Sequence, residues 1–155
     1  ATLARNDGKM KFIDMANVAG EFFHRKFVGR GAAFADYDND GDLDVLMCTI
    51  DGPPCLLRND GGNGNRWLKV VPTRKDTGMV AVGGSVRVGV AGSVLQQPIL
   101  AVNGYLTSSD PRPNFGLGRA ERADWVEVAW PDGKKQRVEN VKANRILKIT
   151  YGVEK

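Results

Sequence analysis

The stretch Gly31-Ala32-Ala33-Phe34-Ala35-Asp36-Tyr37-Asp38-Asn39-Asp40-Gly41-Asp42-Leu43-Asp44-Val45-Leu46-Met47-Cys48-Thr49-Ile50 decides how this chain is read. Its centre sets five aspartates, Asp36, Asp38, Asp40, Asp42 and Asp44, at alternate positions over nine residues. Ionised groups this close repel by on the order of several kcal/mol at a protein-surface dielectric, so the loop calls for a counter-charge. Oxygen donors around a tight turn suit a hard divalent cation, and Ca2+ takes about six to eight of them. Asp36, Asp38 and Asp40 fall at positions 1, 3 and 5 of such a loop, and Gly41 at position 6 allows its sharp turn. An EF-hand would need a bidentate Glu at position 12, where Met47 stands, and helices on both sides. The flanks Gly29–Ala35 and Val45–Ile50 read instead as short strands. The expectation is therefore a Ca2+ loop on a β-hairpin, with Asp44 as the last ligand and Asp42 giving its backbone carbonyl. A solvated acidic turn without an ion is the plainer alternative.

The composition is that of an ordinary globular chain: 155 residues, 42% hydrophobic and 26% charged. The 19 glycines predict many turns between short strands. No apolar run reaches membrane-spanning length, so membrane insertion is not expected. The start at Ala1-Thr2, without a Met or a signal peptide, predicts a mature or excised piece of a longer product. The formal charge of +4 is spread along the chain, and its densest cluster, Lys134-Lys135-Gln136-Arg137, follows the turn Pro131-Asp132-Gly133. Aromatic residues do not alternate with a basic face, so nucleic acid is not an expected partner. Cys48 and Cys55 flank the loop Thr49–Pro54 and would either face each other in a disulfide or stay free thiols.

Two segments repeat. Leu3-Ala4-Arg5-Asn6-Asp7-Gly8 returns as Leu56-Leu57-Arg58-Asn59-Asp60-Gly61, 53 residues later, and each leads into an Asn-Asp-Gly turn and another strand-like run. A period near fifty residues built of short strands is the pattern of a propeller blade. Only the second copy is complete, so a closed propeller is excluded for this chain. Asp14–Gly20 predicts a short helical turn ending on its glycine. After Val71 the pattern changes. Val86/Val88/Val90, Val126/Val128/Trp130 and Leu147/Ile149/Tyr151 alternate at period two, as strands with one buried face do. Strands are expected over 84–90, 94–102, 123–130, 136–138 and 145–151. The expected fold is all-β, with about one and a half propeller-type blades over residues 1–71. These would pack on a small antiparallel β-sandwich or barrel over residues 72–155.

The pieces and their order resemble the junction between calcium-binding repeats of the FG-GAP/VCBS type and an ASPIC/UnbV domain, as in the cartilage acidic protein-like family. The repeat side of the resemblance rests on Gly31–Asp44 and on Leu57-Arg58-Asn59-Asp60-Gly61. The other side rests on Gly104-Tyr105-Leu106-Thr107-Ser108-Ser109-Asp110-Pro111, Phe115-Gly116-Leu117-Gly118 and Val126–Gly133. It implies a calcium-stabilised β repeat, an exported location (periplasmic, cell-surface or extracellular) and adhesion or contact with a protein or carbohydrate. It implies no catalytic activity. Asn103–Gly118 has little apolar periodicity, so Tyr105, Ser108, Ser109, Asp110 and Arg112 read as a structural corner or as a recognition surface.

Two classes of function follow. The first is a non-enzymatic, calcium-stabilised interaction module, whose incomplete blade leaves an edge for packing or for a homodimer. The second is a metal-dependent hydrolase of glycans or phosphoesters. Against the second, the aspartates are used up as ligands and His24 is the one histidine. Neither a G-x-S-x-G elbow nor a phosphate-cradling G-x-x-x-x-G-K motif occurs.

Overall fold

The computed structural model of the protein describes residues 2–50, 52–61 and 64–153; Ala1, Asp51, Gly62, Asn63, Glu154 and Lys155 lie outside the described residues. The described chain is all-β apart from two 3-10 turns, Ala16–Val18 and Glu21–His24, the first within the expected helical turn. Its strands form several small sheets, none of them closed.

The N-terminal hairpin joins β1 (Ala4–Asn6) to β2 (Phe12–Asp14), antiparallel. Its Asn-Asp-Gly turn is held by local bonds: Gly8 N–H donates to Asn6 Oδ1 at 2.9 Å and Lys9 N–H to Asp7 Oδ1 at 2.7 Å. The strands expected around the acidic loop are β3 (Gly29–Ala35) and β4 (Asp44–Thr49), paired antiparallel, and β5 (Cys55–Leu57) adds to β4. Cys55 sits opposite Met47 in that register and Cys48 opposite Gly31. Because side chains alternate along a strand, the two cysteines point to opposite faces, and both are free thiols.

The second half holds two sheets. One is four-stranded and antiparallel in the order β11 (Lys135–Lys142), β10 (Arg122–Ala129), β7 (Ser85–Val90), β8 (Ser93–Pro98). The other is three-stranded: β6 (Arg66–Thr73) runs parallel to β12 (Arg145–Thr150) and antiparallel to β9 (Asn114–Gly118). The period-two valines explain the packing. Val86, Val88, Val126 and Val128 from the first sheet meet Leu68, Val70, Phe115, Leu117, Leu147 and Ile149 from the second in one buried cluster, which Ile99 and Trp130 help close.

Two features depart from the sequence reading. Residues 114–118, expected as part of an irregular segment, form β9. The run Trp67–Val71, expected to end the repeat, does not pair with β5; it lies in β6, at the centre of the second half's sheet. The expected division between residues 71 and 72 falls inside that strand. The reason is burial on both faces. Leu68 and Val70 face the core, while Lys69, between them, is buried on the side where the acidic loop docks.

Candidate metal centre

The acidic loop is shaped by its own carboxylates. Asp40 N–H donates to Asp38 Oδ1 at 3.4 Å and Asp42 N–H to Asp40 Oδ1 at 2.9 Å, a run of short side-chain-to-backbone turns that keeps the chain curled. Gly41 N–H reaches back to Asp36 Oδ2 at 3.2 Å, closing the curl on its first residue. One carboxylate oxygen each from Asp36, Asp38 and Asp40 can be chosen so that all three lie within 4.8 Å of one another. Three oxygens gathered this closely are a donor set that a hard cation can share.

The five sequence-predicted residues do not share one environment. Asp36 is fully buried, whereas Asp38 and Asp40 are exposed. Asp42 is half-buried against Gly61. Its pKa is raised, first by loss of solvent and then by the charges of Asp40, Asp36, Asp44 and Asp38. Asp44 is buried at the start of β4 and ties the hairpin shut: Oδ2 accepts from Tyr37 N–H at 3.1 Å and Oδ1 from Asn59 N–H at 2.8 Å.

Asp36 also reaches across to the second half. Its Oδ2 lies 2.5 Å from the Lys69 ammonium, with both side chains fully buried, and Lys69 also donates to the Asp36 carbonyl at 3.2 Å. Asp36 Oδ1 is buried and has no hydrogen-bond partner among the described residues, an unusual condition for a carboxylate oxygen. Lys69 was not among the candidates read from the sequence, because an alternating strand pattern marks a lysine between Leu68 and Val70 as solvent-facing.

The rest of the docking comes from β6, β9 and the segment before β9. The Trp67 indole lies where a side chain on Gly41 would project, and Asn114 Nδ2 donates to the Gly41 carbonyl at 3.0 Å. Phe34 N–H on β3 donates to Ser109 Oγ at 3.0 Å and its carbonyl accepts from Asp110 N–H at 2.9 Å. The Gly104–Pro111 segment thus acts as a structural corner that partly covers the β3 edge. Asp110 in turn grips Arg112 through Nε at 2.8 Å.

Burial pushes the Asp110 carboxyl up, but the side-chain and backbone bonds from Arg112 outweigh it and leave its pKa lowered. A carboxylate with a lowered folded-state pKa contributes stability above its unfolded value and loses it as pH falls through the folded one. Asp110→Asn should therefore lower the melting temperature at pH 7. The gap to wild type should shrink as pH falls below about 4, near the unfolded value. A gap of the same size at pH 7 and pH 3 would contradict the ion-pair assignment.

A separate cleft of about 680 Å3 is lined by Arg74, Lys75, Asp76, Trp130, Pro131, Asp132 and Tyr151. Its carboxylates are engaged: Asp76 accepts from Arg74, and Asp132 accepts from Tyr151 Oη. His24 is exposed at the end of the second 3-10 turn. No helix among the described residues is long and apolar enough to cross a membrane.

Comparison with known proteins finds a family match over the second half of the chain. Residues 75–155, just over half the chain, match the family described as ASPIC and UnbV. Cartilage acidic protein 1 from Mus musculus is 37% identical over 129 residues, which cover 79% of this chain and 20% of that protein. The Homo sapiens protein of the same name is 36% identical over 129 residues. The chain thus spans about a fifth of the length of these relatives. On this match, the chain belongs to the ASPIC and UnbV family.

Proposed function

We propose that the chain is a calcium-stabilised, non-enzymatic interaction module of an exported protein, and that the acidic loop is its ion site. The observation that carries the reading is a pair of features at Asp36: one of its carboxylate oxygens gathers with one each from Asp38 and Asp40 within 4.8 Å, and its buried Oδ1 has no hydrogen-bond partner among the described residues. Asp36, Asp38 and Asp40 would hold the ion, with Asp42 beside them and Asp44 closing the hairpin. The ion would supply the positive charge that five neighbouring aspartates need, and it would fix β3 to β4.

In this reading β3, β4 and β5 are part of an FG-GAP/VCBS-type blade. The first part of the chain, through β5, carries the repeat, and β6 onward forms a sandwich-like unit. The family match and the cartilage acidic protein relatives support an exported, structural role over a hydrolytic one. The partner would be a protein or a carbohydrate. With β3 partly covered by Ser109 and Asp110, β5 is the edge available for a second copy or for further blades.

Thermal melting of chelator-stripped protein tests the ion. Calcium at a hundredfold excess over its dissociation constant should add about 2.7 kcal/mol, and magnesium far less. For a chain of this size that is a rise of roughly 5–10 °C. Asp38→Ala should abolish the rise while leaving the melting temperature in chelator near that of wild type. Identical melts with and without calcium would reject the reading.

A further inference from the structure

Asp36 is a carboxylate with two unlike sides. Oδ2 is held by Lys69 Nζ at 2.5 Å and by Gly41 N–H at 3.2 Å, whereas Oδ1 is buried and unpartnered among the described residues. Lys69 is itself 0% exposed, on the central strand of the three-stranded sheet, with its neighbours Leu68 and Val70 in the core. A lysine is seldom buried without a partner, because removing its charge from water is costly unless another charge compensates. Here the compensating charge belongs to the first residue of the acidic loop. The strand that organises the second half therefore supplies a fixed positive charge to the loop.

From this geometry, and resting on the calcium reading above, we infer that Lys69 is a tethered cation that shares Asp36 with the bound ion. It plays two parts. It neutralises Asp36 and so lets the loop stay docked when calcium is scarce. It also opposes the ion, since a positive charge on the same carboxylate weakens the attraction that a dication would otherwise feel. Lys69 thereby sets calcium affinity, and through it the loop's occupancy and the packing of β6 influence each other. Such coupling is reciprocal: whatever docks Lys69 more firmly on Asp36 must weaken calcium binding by the same factor.

The test replaces Lys69 with a side chain of similar length and no charge. In chelator, Lys69→Met should melt well below wild type, because Asp36 is left buried with its charge uncompensated. Calcium should then restore it, giving a larger rise in melting temperature than wild type shows and a dissociation constant lower by about tenfold. The double variant Lys69→Met/Asp36→Asn, with both charges gone, should recover most of the stability in chelator and respond little to calcium.

The outcomes separate the two readings. A wild type that responds to calcium beside a Lys69→Met variant with an equal or smaller rise overturns the inference and leaves the ion site standing. A silent wild type beside a responsive Lys69→Met variant refutes calcium in the native chain but supports Lys69 as the cation in its place. Silence in both overturns both. If Lys69→Met is unfolded in calcium as well as in chelator while the double variant folds, the ion does not take over from Lys69, and the inference is overturned.

Discussion

Gly41→Ala should be among the most damaging single-methyl changes in this protein, lowering stability by about 2–6 kcal/mol. Two penalties coincide at that position. The backbone has φ of 103°, a region that residues with a Cβ rarely adopt, at a cost of about 1–3 kcal/mol. The added Cβ would also overlap the Trp67 indole, and overpacking adds about 1–3 kcal/mol. Neither clash can be relieved cheaply, because the loop is fixed beside Trp67 by Asn114 on the Gly41 carbonyl and by Lys69 on Asp36.

The control for that result is Gly133→Ala. Gly133 has φ of 83° but no described residue within 4 Å of where its Cβ would sit, so only the backbone penalty of about 1 kcal/mol applies. Denaturant unfolding of both variants compares them directly, with equal slopes as the check that only stability has changed. Calcium-induced stabilisation should also be weaker in Gly41→Ala, since displaced Trp67 contacts move the loop that gathers Asp36, Asp38 and Asp40. A Gly41→Ala variant no less stable than Gly133→Ala would mean that the loop does not rest on Trp67.

Much of this arrangement was legible in the sequence, for a physical reason. Where one face of a strand is buried and the other is wet, residues alternate, and Val86/Val88/Val90 and Val126/Val128 declare β7 and β10 directly. The acidic loop declares itself through spacing, and its strand flanks through β-branched and apolar residues. Central strands covered on both faces lack that alternation. β6 carries Trp67, Lys69 and Val71 toward one side and Leu68 and Val70 toward the other, so the period says nothing about which sheet it joins. Only the docked loop makes the first side an interior.

β9 was missed for a related reason. Its sequence Asn114-Phe115-Gly116-Leu117-Gly118 has two apolar residues and two glycines, a composition that reads as turn. Phe115 and Leu117 are nevertheless buried in the cluster that the two sheets share, so tertiary packing overrides local preference. The cysteines illustrate a third limit. The hairpin between Cys48 and Cys55 was foreseeable, but register is decided by pairing, and a shift of one residue places the thiols on opposite faces. Nor could the pairing of Lys69 with Asp36 be read locally, because its members stand 33 residues apart.

The same contrast between spacing and environment leads to an expected division of labour among the aspartates. Spacing alone makes Asp44 the ninth-position ligand, but in the folded chain it accepts two backbone N–H groups, from Tyr37 and Asn59, at 3.1 and 2.8 Å. Hydrogen bonds to a charged acceptor contribute about 1.5–3 kcal/mol each, and both are lost together in Asp44→Ala. A loss of about 3–5 kcal/mol is expected, slightly discounted because Tyr37 is half exposed. That is roughly 6–20 °C in melting temperature at this chain length. The decisive feature is where the loss occurs. If Asp44 serves chiefly to bolt the loop entry to the Asn59 turn, the drop in chelator should match the drop in calcium. Asp38, exposed and accepting from the neighbouring Asp40 N–H in the loop, should show its loss in calcium alone. A loss on Asp44→Ala that appears only in calcium would restore it to the ion's ligand set. The hairpin would then depend on the ion rather than on backbone bonds for its closure.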